Sequence, residues 1–417
     1  MHRKGLLCAV LMLAAVAAHA QSLSLGNGTA SPNSSDLAIA ATRTDVDLAN
    51  PANATGNVTS ATFGWSTFPC ANAIKIKFFR RSGGDLTLVA ERGPFSSTGS
   101  STTVTLVPSV SVQQGDLIGI ARVANCGNPT AFIGIVTGGS LSYAGDIGGV
   151  VTFASGLRRA EVIAVNASGT ATEKTAAVIP VVGSTAGSFG SNFKTSLQLA
   201  NGFTFGGSAM TGRLVLRKQG VPGSTADPSM PFSVAPGTVV TFPDIVGLFS
   251  FSGLGSIDVV APAGAAIPVI VARVYNDAGA VGGTAGLNET GVNPAGDGFG
   301  FGSITPFMGA TAVMVTPNEP ARTRFNIGVR SLFSGAQIGA TLKNPDGTTV
   351  MTVTKSYPPN FFEQVSASAF FGGVSISANQ MVVITVLDGS AIIYGATTDN
   401  VTNDPSIQFA TVVFAIA

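Results

Sequence analysis

Apolar residues in this chain come in short runs, separated by clusters of Gly, Asn, Asp, Ser and Thr. No stretch sustains the spacing of a long amphipathic helix. Residues 74–78 (Ile-Lys-Ile-Lys-Phe) alternate apolar and basic, which is the period of a strand with one wet face. Residues 86–90 follow across the turn Gly83-Gly84-Asp85, so the two segments read as a hairpin. Further strands are expected at 103–107, 117–123, 132–136, 149–153 and 160–165. Strands punctuated this regularly predict an antiparallel sandwich or jelly roll.

Residues 167–174 are small and polar and read as a linker. Strands resume at 177–182, 197–199, 213–216, 237–242 and 256–260, then in a run ending at Asp277. A second boundary spans 279–302, rich in Gly, Asn and Ala, with Phe299 and Phe301 set among glycines at its end. Beyond it, strands are expected at 312–315, 323–330, 337–342, 350–355, 374–377 and 381–386, with a last one at 408–416. Asn344-Pro345-Asp346-Gly347 is a hairpin turn. Residues 358–362 (Pro-Pro-Asn-Phe-Phe) suggest the start of a short helical crossing.

The second half of the chain reads as one unit written twice. The apolar run Ile392-Ile393-Tyr394-Gly395 ends in Asp399-Asn400-Val401-Thr402-Asn403-Asp404-Pro405, and a fainter copy ends at Asn276-Asp277. Upstream, Phe193-Lys194-Thr195-Ser196-Leu197 matches Phe325-Asn326-Ile327-Gly328-Val329. The expected class is therefore all-β, with three antiparallel sandwiches at 21–168, 175–280 and 303–417.

These paired units, with Arg322 to Gly328 opening the second and Asp399 to Pro405 closing it, resemble exported bacterial proteins built of tandem immunoglobulin-like β-sandwiches. The resemblance covers about residues 177–417. It implies a fold and an exported location, and it carries over no catalytic residue. The N-terminal region resembles jelly-roll modules in strand pattern alone.

The first twenty residues read as a signal peptide. His2, Arg3 and Lys4 form a basic start, an apolar core follows, and Ala18-His19-Ala20 is a small-residue cleavage site, so processing between Ala20 and Gln21 is expected. The expected location is the periplasm, the cell surface or the medium. Both histidines of the chain, His2 and His19, would leave with that segment. Ser-His-Asp and Cys-His catalysis and His-ligated metal sites would then be excluded. After Cys8 is lost, Cys70 and Cys126 remain as an even pair in an oxidising compartment, which reads as a disulfide against the alternative of two buried thiols.

Charged residues make up only 10% of the 417, against the roughly 25% usual in soluble domains. The formal net charge is +1, and the basic doublets Arg80-Arg81, Arg158-Arg159 and Arg217-Lys218 stand apart, unlike a nucleic-acid footprint. The mean hydropathy of +0.41 raises an outer-membrane barrel, but the runs are short and Tyr and Trp too scarce for aromatic girdles. The apolar core of the first twenty residues is too short to span a membrane, and no other segment qualifies. Seven Asn-x-Ser/Thr triplets, at Asn27, Asn33, Asn53, Asn57, Asn166, Asn288 and Asn400, read as a by-product of polar loops.

The 21 carboxylates are scattered and mostly sit beside Gly, Asn or Pro, which favours turns over a glycosidase pair. One cluster, Asp399, Asn400, Asn403 and Asp404, offers hard oxygen ligands suited to Ca²⁺ in an exported protein. The competing reading is that these side chains cap their own turn, and the poor upstream copy favours it. No other cofactor is expected. Sugar platforms use Trp and Tyr, and here one Trp and four Tyr stand against 26 Phe. Trp65 is the single candidate, against a core residue beside Cys70. The expected function is contact with a protein or glycan surface, as adhesion or envelope structure and without catalysis. The competing class is a carbohydrate-binding accessory to polymer breakdown.

Overall fold

The computed structural model describes residues 22–27, 34–35, 42–64, 70–98, 100–124, 131–203, 207–294 and 309–413. Within them nearly all regular structure is antiparallel strand, as the alternation predicts. Three short α-turns, Ile245–Leu248, Gly279–Gly282 and Ala367–Phe370, are the α-helical segments. No helix among the described residues is long and apolar enough to cross a membrane.

The expected linker is a strand. Val165–Ala186 runs unbroken across the boundary expected at 168–175. Its first half pairs with Thr55–Gly64 and Ser22–Gly26, and its second half with Gly253–Pro262. Small, β-branched and polar residues suit a strand with one open face as well as they suit a loop, so composition alone misread the linker, while the change of pairing partner at Glu173 falls inside the expected boundary. Pro180, which cannot donate to a ladder, sits where the register shifts between Ile179 and Val182.

That first half belongs to the N-terminal sandwich. Opposite it lies a sheet in which Ile74–Ser82 pairs with Asp85–Phe95 and Leu117–Arg122. Leu23, Val58, Phe63, Ile76, Phe78, Leu106 and Ile118 fill the space between the layers. The other face of the second sheet is not wet as its pattern suggested. Lys77 is 1% exposed, with Nζ 2.7 Å from Glu91 and 2.6 Å from Asp146. Period-two alternation marks two faces, but it does not distinguish water from an ion-pair layer.

The second half of the long strand enters the first repeat. Gly253–Pro262, Met210–Lys218 and Ser229–Val234 extend its sheet in that order. At its end the strand pairs with Asn192–Ala200, and Val269–Asp277 and Thr284–Thr290 follow outward. The last of these strands falls in the segment expected to be a boundary, while Phe299 and Phe301 lie outside the described residues. Ile179, Val182, Leu197, Leu214, Ile257 and Val259 form the core.

In the second repeat, Thr323–Lys343 pairs along most of its length with Met381–Asp399. The expected strands at 323–330 and 337–342 are thus one strand, interrupted between Ser331 and Ala336. The turn at 344–347 closes a hairpin with Thr349–Tyr357, with Gly347 at φ 86° and Asp346 accepting from the Thr348 amide at 3.0 Å. Two expectations fail here. Phe362 opens a strand, Phe362–Ser366, and the helical turn starts later, capped by the Ser366 side chain. Residues 374–377 form no strand, because Gln380 and Thr316 side chains take the backbone groups of Ser377. The final strands, Pro405–Phe409 and Thr411–Val413, pair within this repeat.

The internal repeat is real in pairing but displaced by one residue. Phe193 lies opposite Asn276, whereas Phe325 lies opposite Thr397, so Asp277 corresponds to Thr398 rather than to Asp399. The apolar run before Asp399 has a cause that the first copy lacks. Ala391 and Ile393 face the second repeat's own core, while Ile392 and Tyr394 face the first repeat. A strand buried on both faces loses its alternation. Each fully buried Ile contributes about 1.5–3 kcal/mol. Gly328 is required there, since a Cβ would lie 2.0 Å from the Tyr394 ring.

Candidate functional site

The Asp399 cluster is a turn organised by its own side chain. Asp399 Oδ1 accepts from the amides of Val401 and Thr402, both at 2.8 Å, and Oδ2 accepts from Arg322 Nε at 2.9 Å. Those amides, then Arg322, hold its carboxyl well below the usual carboxylate range. Asn403, at φ 57°, closes the turn by donating its amide to Asp399 O at 3.0 Å. Arg324 donates to Asn403 Oδ1 at 2.8 Å and to Asn400 Oδ1 at 3.3 Å. Three of the four expected ligands therefore direct oxygens at N–H donors, with a guanidinium on the side where a cation would sit. Asp404 contributes its backbone carbonyl to the Asp399 amide at 3.1 Å. Among the described residues, no three His, Cys, Asp or Glu side chains are grouped to hold a metal ion. Asp277 makes a smaller version of the turn, accepting from the Gly279 amide at 3.1 Å and from Lys194 Nζ at 2.8 Å.

Cys70 is fully buried in the N-terminal core. Cys126, Trp65, Ala20 and Gln21 lie outside the described residues.

The chemistry that sequence reading missed lies between the sandwiches. Arg330, fully buried, crosses from the second repeat into the first. Its Nη2 donates to Asp258 Oδ1 at 2.6 Å and its Nε to Ser256 Oγ at 2.7 Å. Asp258 Oδ2 accepts from Arg217 Nε at 2.7 Å, and Arg217 Nη1 reaches Asp227 at 2.5 Å. Burial opposes the ionisation of Asp258, yet the two guanidiniums hold its carboxyl below the ordinary range. Beside this network, Val178, Val292, Leu332 and Ile392 complete an apolar seam.

A second charged cluster joins the N-terminal sandwich to the second repeat. Arg81 Nη1 and Arg158 Nη2 lie 2.7 Å and 3.0 Å from the same oxygen of Asp388. Both guanidiniums also lie over the Phe153 ring, at 4.0 Å and 5.2 Å from its centre. They border a cleft of about 540 Å³ whose other walls include Gly83, Gly84, Gln337, Ser356 and Tyr357. Nearby, Phe333 packs on Gly115, where φ is 92° and a Cβ would fall 2.4 Å from the phenylalanine Cβ. Each of the basic doublets noted in the sequence supplies one arginine to these clusters: Arg81, Arg158 and Arg217. Doublets in a charge-poor chain were the available signal. Their carboxylate partners are too far away in sequence to be paired by inspection.

Family models, curated proteins and solved structures give no match to this chain.

Proposed function

We propose that this is an exported, non-catalytic contact protein, serving surface interaction, adhesion or envelope structure. In this reading a jelly-roll-like N-terminal sandwich and two immunoglobulin-like repeats act as one rigid body. The observation that carries it is the pair of features tying the units together: the strand Val165–Ala186 shared by two sandwiches, and the Arg330–Asp258 network buried between the repeats. Such a body holds a surface in fixed orientation and lacks the hinge that closure over a substrate requires. The purified protein is expected to show no turnover of esters, peptides or glycans. Turnover that disappeared on substituting a single Asp or Glu would overturn the reading.

Export carries its own test. The mature protein is expected to begin at Gln21 and to contain a Cys70–Cys126 bridge, contributing about 2–4 kcal/mol to the N-terminal sandwich. Non-reducing peptide mapping that recovered both cysteines as free thiols would refute the bridge. The carbohydrate-binding reading rests on one observation, the cationic cleft beside Arg81 and Arg158.

A further inference from the structure

The cluster around Asp388 is incomplete as an ion-pair site. Two guanidiniums share one carboxylate, which leaves a local excess of positive charge. The Arg81 side chain is only 8% exposed, so water does little to offset that excess. The geometry is also unfinished. Asp388 Oδ2 is close to both arginines, yet among the described residues it receives no aligned hydrogen bond, and the buried Nε of Arg81 has no acceptor. Native buried polar groups are nearly always satisfied, and guanidinium donors strongly prefer planar, two-pronged oxygen acceptors. Here the donors stand at the edge of an open cleft of about 540 Å³, within the size range of small-ligand sites.

The walls narrow the choice of ligand. Pro358 and the edges of the largely buried Phe153 and Tyr357 rings give apolar area, while Gln337 and Ser356 give neutral hydrogen-bonding groups. Gly84 faces open space, so the turn at that end leaves room for a ring. A ligand matching this set carries one carboxylate on a compact body with an apolar face and neutral hydroxyls. We propose that the cleft between the N-terminal sandwich and the second repeat binds a carboxylated sugar, of the uronic acid class, through Arg81 and Arg158. The carboxylate seats against the two guanidiniums, the hydroxyls meet Gln337 and Ser356, and the ring lies along Pro358. Asp388 bridges the two arginines and competes with the incoming carboxylate. This proposal builds on the contact reading by naming a ligand. A failure to bind leaves that reading to the turnover assays, which do not depend on the cleft.

The test is calorimetric titration of the full exported chain with trigalacturonic acid, a neutral galactose trimer and sodium sulfate. The acidic trimer is expected to bind saturably and to weaken with added salt, and the neutral trimer to bind at least about tenfold more weakly. Arg158→Gln, at a side chain 39% exposed, should reduce affinity by about tenfold with the melting temperature nearly unchanged. Asp388→Asn should move affinity the other way, since it removes the competing charge, and damaged folding would not produce a gain. Gly84→Leu should block binding by filling the cleft without altering any charge. Absence of saturable binding, equal affinity for the neutral trimer, or an Arg158→Gln protein that binds like wild type would each overturn the proposal. Sulfate binding as tightly as the acidic trimer would assign the site to simple anions and overturn the sugar.

Discussion

Two arginine–aspartate clusters hold this molecule together, and they are built differently. At Asp258, two guanidiniums meet a carboxylate with both oxygens aligned to donors, and Asp227 shares the charge of Arg217. At Asp388, two guanidiniums again meet one carboxylate, but the donors are misaligned and, among the described residues, no second acid joins them. The first cluster is sealed, with Arg330 and Asp258 both at 0% exposure, while the second opens on a cleft. Burial demands that a charged network be closed on itself, whereas an edge position tolerates unfinished coordination. Equal residue types thus divide into a structural lock and a site able to accept an external anion.

The lock should give the largest effect on stability. Asp258→Ala leaves Arg330 and Arg217 buried without their shared partner, and breaking such a pair costs about 3–5 kcal/mol. Denaturant midpoints of both repeats should fall together, because the lost partner lies between them. A loss confined to the first repeat would show that Arg330 does not couple the two units. Arg330→Met combined with Asp258→Asn should recover part of the loss, since the uncompensated guanidinium is gone.

How much of this was legible follows from the range of each signal. Alternation and turn residues act within a few positions, so the hairpin across Gly83-Gly84 and the turn at Asn344-Pro345-Asp346-Gly347 were readable from the sequence. The strand at 167–174 was not, because what distinguishes it from a linker is its neighbours Thr55–Gly64 and Gly253–Pro262, which lie far away in sequence. The same holds for Lys77, whose wet appearance is undone by Glu91 and Asp146. Of the candidate site, the turn role of Asp399 was readable because its partners Val401 and Thr402 are local. The Asp388 cluster joins Arg81, Arg158 and Asp388 across most of the chain, and nothing local pairs them.

Glu289 is the exception inside the sealed seam. It is 4% exposed, and among the described residues neither carboxyl oxygen has a hydrogen-bond partner. Burial pushes its carboxyl well above the ordinary value, and the nearby Tyr394 phenol is pushed up by burial and by Glu289. A carboxyl raised on folding favours the folded state fully below the unfolded pKa, and that contribution is lost as pH rises through the folded pKa. Each pH unit in that window costs about 1.4 kcal/mol. Glu289→Gln should therefore leave stability near pH 4 almost unchanged and raise it at pH 8. Parallel stability–pH curves for the two proteins would show that Glu289 does not titrate across this range. Asp47, raised by burial to about 6 against its bonds from Asn50 and Ala49, adds a slope of the same sign around that pH.

Asp388→Asn sharpens the comparison from the open side. Arg158 can turn toward solvent, and Arg81 retains the Phe153 face, so the cost should be about 1–2 kcal/mol, well below that of Asp258→Ala. A loss as large as the one at Asp258 would mean that the cleft cluster is a lock too, and the contrast between the two would fail.

The smallest effects belong to the surface turns, which calibrate what an exposed Asp–Arg contact contributes without burial. Asp399 binds two amides and Arg322, and Asp277 binds one amide and Lys194. Their carboxyls are both held below the usual range: Asp399 by the Thr402 and Val401 amides and Arg322, Asp277 by Lys194 and then the Gly279 amide. A lowered carboxyl contributes stability above its unfolded pKa and loses it as pH falls through the folded one. Asp399→Ala should therefore reduce the melting temperature of the second repeat by about 2–4 °C at pH 7, with the difference shrinking in acid. Asp277→Ala should do less, because Gly279, at φ 78°, reaches its turn geometry without strain and only one amide is released. Calcium decides between the two readings of the stretch. The turn reading requires the Asp399→Ala deficit to be the same with millimolar CaCl₂ or with chelator. A wild-type gain of several degrees in calcium, abolished by Asp399→Ala, would instead mean that Arg324 gives way to a cation and that this turn is a metal site.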